Sequence, residues 1–249
     1  MKIVEKLTNV ECNGAKISGS DRPEGLVDWL SFVNVTLIIG LPASGKSSLI
    51  QTLLNGTNTH RLYNNIFHSV YYISPSDTIN INIPDEKNIN LTEKDVVSVL
   101  EEIIENESDL GEEDEHHNVL IILDDAINWI MGGGNRAKRL FGKLAFNGRH
   151  ILGKYSSVAT WVVSQRIKSI PKYIRSMANQ VFFFDSTKNE KQILQEEFML
   201  TNKKETELLF NHIYDKKFNF LFINLNLPKE SRYFKNFNRL YLENLDTSL

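Results

Sequence analysis

The chain has a single cysteine, Cys12, among 249 residues. That excludes an internal disulfide and any cysteine-built zinc site, and it points to a reducing compartment. No apolar run approaches the roughly 20 residues that a membrane-spanning helix needs. The first residues, Met1-Lys2-Ile3-Val4-Glu5-Lys6, are mixed in charge and lack the apolar core of a signal peptide. Acidic residues are missing altogether from Ala126 to Phe184, a stretch that carries ten cations between Arg136 and Arg175. The reverse holds from Glu101 to Glu115, with nine acidic residues and no Lys or Arg. The net charge of −3 conceals this asymmetry. Charge runs are often solvated faces; the functional alternative is a surface that meets polyanions, phosphate chains above all.

What is present is ordinary for a globular protein: 41% hydrophobic and 24% charged residues. The length suits one well-buried α/β domain with small appendages. Val35-Thr36-Leu37-Ile38-Ile39 is apolar or β-branched throughout, as a strand buried on both faces of a parallel sheet requires. Further strands are expected at Ser69–Ile73, Val119–Leu123, Ser157–Val163, Gln180–Phe184 and Phe220–Ile223. Helices are expected over Ser47–Leu54, from a Thr92 cap through Ile104, and over Asn135–Phe146, Lys188–Phe198 and Lys203–Tyr214. An acidic loop from Glu105 to His117 and an edge hairpin within Arg232–Leu242 complete the expectation. Strands alternating with helices imply a doubly wound, mostly parallel sheet flanked by helices. The expected organisation is an N-terminal extension over 1–33, a core domain over 34–230 and a tail over 231–249.

The chemistry is concentrated at Gly40-Leu41-Pro42-Ala43-Ser44-Gly45-Lys46-Ser47, followed by Ser48. This fits G-x-x-x-x-G-K-[ST] at every fixed position, between a buried strand and a helix. The glycines let the loop wrap phosphate oxygens, and backbone N–H groups at the start of the helix form an anion nest. Lys46 would reach the β- and γ-phosphates of ATP, and the Ser47 hydroxyl would ligate Mg²⁺. Asp124 ends a strand of five apolar residues, as a Walker B carboxylate does, and would hold Mg²⁺ through water. Asp125 is the candidate for orienting or deprotonating the attacking water, or else an N-cap for the segment from Ala126.

Gln165 follows a strand at the carboxyl edge of the sheet, where ligands bind in open α/β folds. It suits a γ-phosphate sensor, with a plain surface residue as the alternative. Arg149 and Arg175 compete as an arginine finger reaching a neighbouring subunit's nucleotide; either is otherwise a surface cation or a DNA contact. Gly132-Gly133-Gly134 with Arg136, Lys138 and Arg139 reads as a mobile basic loop or a merely solvated one. His116 and His117 are poor metal ligands without a third partner. A guanine reader of the Asn-Lys-x-Asp type is missing; the nearest string, Thr187-Lys188-Asn189-Glu190, does not fit it.

In order, these are a P-loop, a strand ending in Asp124-Asp125, Asn147-Gly148-Arg149-His150, Ser156-Ser157-Val158, and Ser164-Gln165. The set, spanning roughly residues 35 to 185, resembles the poxvirus-type viral genome-packaging ATPases of the FtsK–HerA superfamily, found in large DNA viruses and virophages. The resemblance implies a P-loop ATPase that translocates double-stranded DNA into a capsid. It implies a homo-oligomeric ring, pentamer or hexamer, with an arginine supplied by a neighbour. It also implies capsid portal or vertex proteins as partners, and a place at the viral assembly site in host cytoplasm or in the virion. Many relatives in the wider superfamily carry Asp-Glu where this chain has Asp124-Asp125. The alternative is another P-loop NTPase: a helicase-like DNA-dependent ATPase, a small GTPase or a kinase.

Overall fold

Runs of β-branched and apolar residues with no polar alternation become strands buried on both faces. Val35–Ile39, Ser69–Ser74 and Gln180–Phe184 are buried at every position. The computed structural model describes residues 2–6, 30–31, 35–55, 62–63, 66–75, 86–92, 94–110, 117–151 and 157–243. Gly56, His116, Lys154 and Ser156, and most of the expected N-terminal extension, lie outside them.

In chain order the strands are β1 (Lys2–Lys6), β2 (Val35–Ile39), β3 (Ser69–Ser74), β4 (Glu86–Asn90), β5 (Asn118–Asp124), β6 (Ser157–Ser164), β7 (Gln180–Phe184), β8 (Phe220–Asn224), β9 (Tyr233–Lys235) and β10 (Asn238–Glu243). The helices are α1 (Lys46–Asn55), α2 (Val96–Leu110), α3 (Ile127–Gly132), α4 (Gly134–Ile151), α5 (Lys172–Arg175), α6 (Lys188–Phe198) and α7 (Lys203–Ile213). The fold is α/β, with a mixed sheet flanked by helices, and it divides into two units.

One unit comprises 12–36 and 47–163. Its strands run β6-β5-β3-β4 and every pair is parallel, as expected for strands joined through helices. Val119–Leu123 is wholly inaccessible to solvent, and Trp161 is buried with it. Tyr63 packs edge-on against Trp161 at 5.2 Å and donates to the Ser31 carbonyl at 2.6 Å. α2 begins at Val96, later than expected, because Asp95 and not Thr92 caps it: the Ser98 amide donates to Asp95 Oδ2 at 3.0 Å. That hydrogen bond holds the Asp95 carboxyl below its usual range. Thr92 instead turns back to Asn90 Oδ1.

α2 also continues to Leu110, so half of the expected acidic loop is helix. Its inward-facing Glu107 is fully buried and takes hydrogen bonds from the Tyr71 hydroxyl and, at 2.5 Å, from His117. A buried carboxylate needs such partners, since burial without them is strongly unfavourable. His117 is therefore a structural residue here.

The other unit comprises 1–11, 37–46 and 164–249. Its order is β1-β10-β9-β8-β7 with β2 next, and the pairs from β1 through β7 are antiparallel. The parallel sheet expected from the alternating pattern thus gains an antiparallel side. Residues from the expected N-terminal extension and tail pair with each other, Lys2 opposite Glu243 through Lys6 opposite Arg239. The expected edge hairpin is β9–β10, turned at Asn236, whose φ of 54° asparagine tolerates well. Phenylalanines line this sheet, Phe182 stacked on Phe222 at 4.4 Å and Phe222 tilted against Phe234 at 4.9 Å. Helix starts follow the local rules. Thr187 caps α6, and Asn202 with Glu205 forms a capping box at α7. Each such cap stabilises by about 1 kcal/mol.

Candidate functional site

The loop between β2 and α1 is shaped by what surrounds its glycines. Gly40 donates its N–H to the Ser164 carbonyl at 3.1 Å. A Cβ there would lie 2.5 Å from Ser44 Oγ and 2.8 Å from Phe184 Cβ, so no side chain fits. Gly45 has φ +107°, and Ala43 beside it has φ 57°. Alternating hands along a short backbone segment turn successive N–H groups toward one side, the geometry of an anion nest. Loop and helix start carry no acidic side chain.

Lys46 Nζ donates to the carbonyls of Gly40 at 2.8 Å and Leu41 at 3.0 Å, so its charge is held at the loop mouth. Ser44 Oγ is buried and has no hydrogen-bond partner in the protein. Such a group normally costs 1–3 kcal/mol unless a ligand or water satisfies it, as a rough range. Leu41, Pro42 and Ala43 are exposed, as are Ser47 and Ser48 in the first turn of α1. Gly40 to Lys46 thus form a tight, glycine-bounded turn that leads into the N-terminus of α1.

Gln165 is exposed, and the preceding carbonyl, Ser164 O, is the one that receives the Gly40 N–H. Within this unit the glutamine therefore sits one residue from a direct link to the loop. Ser164 Oγ is 2.7 Å from Ser169 Oγ, which sets the turn that follows. Two residues the sequence did not single out complete this part of the site. Phe184 is buried beneath both glycines, and Phe218 lies against Gly45. Their only sequence signal was aromatic character at and beside strand ends.

Asp124 and Asp125 belong to the other unit. Asp124 ends β5 and accepts a hydrogen bond from the Tyr72 hydroxyl. Tyr72 pairs with Ile122 across β3 and β5, two residues from Asp124 on the same face. Asp125 is exposed, has φ 50°, and donates its N–H to Val163 O at 3.0 Å. A left-handed aspartate is uncommon and stores strain of order 1 kcal/mol. The capping alternative for Asp125 fails: α3 has Ala126 at its N-cap position and no side-chain cap.

Arg175 is engaged within its own unit. Its guanidinium grips Glu197 through Nη2 at 2.8 Å and Nε at 2.7 Å. Nη1 donates to the carbonyls of Ile167 and Ile170 at 3.2 and 2.9 Å. We expect Arg175→Ala to destabilise the protein by roughly 2 kcal/mol, the scale of charged hydrogen bonds. That corresponds to a melting temperature roughly 4–8 °C lower. A melt within 1 °C of the parent's would show, on that scale, that these contacts contribute nothing. Arg149 lies within α4, which extends past the expected end at Phe146; its side chain is outside the described residues.

The expected mobile basic loop is a helical corner. α3 ends at Gly132 and α4 starts at Gly134, with Gly133 between. A Cβ on Gly133 would lie 2.4 Å from Val96 Cγ1, so this glycine exists for close packing of the corner onto α2. Arg136 pairs with Glu101 of α2, which neutralises part of the basic tract. Lys138, Arg139 and Lys143 on α4 remain exposed, as do Arg166, Lys168 and Lys172 in the other unit.

Ser47, exposed in the first turn of α1, and Asp124, at the end of β5, each carry an oxygen donor of the kind Mg²⁺ takes. Among the described residues no group of three His, Cys, Asp or Glu side chains could hold a metal by itself. No described helix is long and apolar enough to cross a membrane.

No family model matches this sequence, and no curated protein matches it. Solved structures do match its fold. One is B204, the DNA-packaging ATPase of Sulfolobus Turreted Icosahedral Virus, at 14% identity and a TM-score of 0.53, covering 84% of this chain and 97% of that one. Another is the genome packaging NTPase B204 of Sulfolobus turreted icosahedral virus 2 in complex with ATP-gammaS, at 12% identity and a TM-score of 0.52. It covers 86% of this chain and 98% of that one. A sulfate complex of the same NTPase gives 12% identity and a TM-score of 0.51 with equal coverage. These likenesses show that the chain has the fold of the viral genome-packaging ATPases, with the glycine-bounded turn after β2 and Asp124 at the end of β5.

Proposed function

We propose that this chain is an ATP-hydrolysing motor that moves double-stranded DNA into a viral capsid. The observation that carries the reading is the cradle itself: left-handed Ala43 and Gly45, the Lys46 ammonium at its mouth, and the unsatisfied Ser44 hydroxyl within it. ATP would lay its β- and γ-phosphates in this loop, against the backbone N–H groups and Lys46. Ser47 and Asp124 would hold Mg²⁺, which neutralises charge on the β- and γ-phosphates when bound. Tyr72 would fix the Asp124 carboxylate in one orientation.

Asp125 would orient the attacking water and accept its proton, with Gln165 sensing the γ-phosphate. The water oxygen bonds to the γ-phosphorus as the bond to the ADP oxygen breaks, releasing ADP and phosphate. Positioning and electrostatics supply most of the acceleration in such reactions.

The fold of the packaging ATPases it resembles supports DNA as the track and a homo-oligomeric ring, pentamer or hexamer, as the working form. Arg149 is then the better candidate to act across subunits, since Arg175 is held by Glu197. The exposed cations of α4 and of 166–172 would grip the phosphate backbone. Capsid portal or vertex proteins would receive the DNA, at the viral assembly site in host cytoplasm or in the virion.

The test is steady-state hydrolysis with and without double-stranded DNA. Turnover should rise several-fold with DNA at low salt, and the rise should fade as salt displaces phosphate contacts. Turnover indifferent to DNA across the salt range removes the motor reading.

A further inference from the structure

Phe218 sits in the turn between α7 and β8 and is 56% exposed. Its φ is 71°, a left-handed backbone that a bulky residue adopts only under strain. Glycine would satisfy this turn without strain, and burial does not offset the cost, because the residue is exposed. The turn is nevertheless held firmly. Asn219 Nδ2 donates to the Ile213 carbonyl at 3.0 Å and to Asp215 Oδ1 at 2.7 Å. Asn236 Nδ2 donates to Asn219 Oδ1 at 3.0 Å, and Lys235 pairs with Asp215 at 3.0 Å.

The ring's position gives the strain a use. Phe218 Cδ1 is 3.6 Å from where a Cβ on Gly45 would be, so the ring borders the phosphate cradle in the same unit. Lys217 Nζ lies over one face of the ring, 4.8 Å from its centroid, which leaves the opposite face for a flat ligand. A nucleotide anchored by its β- and γ-phosphates carries its base on the far side of the α-phosphate and the ribose, tethered to the loop by those two groups. A base presents a π-face, and a preset aromatic ring is the surface that face stacks on.

We propose that Phe218 is the stacking platform for the base of the bound nucleotide. Lys217 would back the ring on the face away from the ligand. The proposal rests on the reading of Gly40 to Ser47 as a triphosphate site and names what that site recognises beyond phosphate. The rigid turn means that the platform exists before the ligand arrives, so little ordering is required on binding.

Calorimetry with two probes, ATP and inorganic tripolyphosphate, both with Mg²⁺, tests it. Phe218→Ala should weaken ATP about tenfold, the scale of one base–aromatic stack, and leave tripolyphosphate unchanged. Phe218→Trp should keep ATP affinity within about twofold, because it restores a stacking face. Lys46→Ala should lose both probes. Parental ATP affinity in Phe218→Ala overturns the platform, and so does a parallel loss of both probes, which would make the ring a support for the loop. Either result leaves the triphosphate site standing if Lys46→Ala still loses binding. A parent chain that binds neither probe ends the triphosphate reading and the platform together.

Discussion

Lys46→Ala lowers nucleotide affinity about a hundredfold, the scale expected when one member of a close, hydrogen-bonded charge pair is removed. The ammonium already sits 2.8 and 3.0 Å from the loop carbonyls of Gly40 and Leu41, so it needs only a short movement to reach phosphate oxygens. The loss can be read without any catalytic step. Ligand at a hundred times the parent's dissociation constant stabilises the fold by about 2.7 kcal/mol, which a hundredfold weaker variant reduces to about 0.4 kcal/mol. In melting temperature, the parent gains roughly 5–10 °C with saturating ATP and the variant about 1 °C. Equal ATP-induced shifts in the two proteins would remove the phosphate role of the loop.

Asp125→Asn separates chemistry from binding. Turnover should fall about a thousandfold, within the range that general-base catalysis contributes, while ATP affinity stays near the parent's. Asparagine is the cleanest replacement because it tolerates φ 50° about as well as aspartate. Alanine at this position adds backbone strain to the loss of the carboxylate, so its lower stability would confuse the result. Glycine should do the opposite, relieving strain and stabilising by up to about 1 kcal/mol while turnover is lost. Single-turnover hydrolysis beside a thermal melt distinguishes these outcomes. An asparagine variant within tenfold of the parental rate would place the base elsewhere.

The two experiments bear on different units of the molecule. Gly40 to Lys46 belong to one and Asp125 to the other. Arg175 falls between expectation and structure. Its basic neighbourhood made it a candidate finger, yet Glu197, some twenty residues further on, holds it in two-pronged geometry. A contact made between α5 and α6 across that distance leaves no local mark in the sequence.

Much of the rest was local and therefore legible. The apolar and β-branched run of β2, the glycines at 40 and 45, and Lys46 at the helix start lie within a dozen residues, and their spacing is readable as a local pattern. The caps at Thr187 and Asn202 belong to the same class, since a cap satisfies amides two or three residues away. Thr92 misled because Asp95, a competing cap, stands three residues later, next to the first buried turn. The triple glycine misled for a different reason. Three glycines imply freedom in an isolated chain, whereas here one of them is required by contact with Val96, far off in sequence.

By itself the sequence determined that a glycine-bounded turn would join β2 to α1 and that Asp124 and Asp125 would follow the apolar run of β5. Those features depend on backbone propensity and on side chains within a few residues of one another. Tertiary structure alone decided that Tyr72 orients Asp124, that Phe184 packs under the loop, and that Phe218 stands beside Gly45. It also decided that β1 closes against β10 and that the sheet turns antiparallel beyond β7. These are contacts between segments tens to hundreds of residues apart, chosen by how buried faces fill space against one another, and a linear pattern of residues does not encode that choice locally.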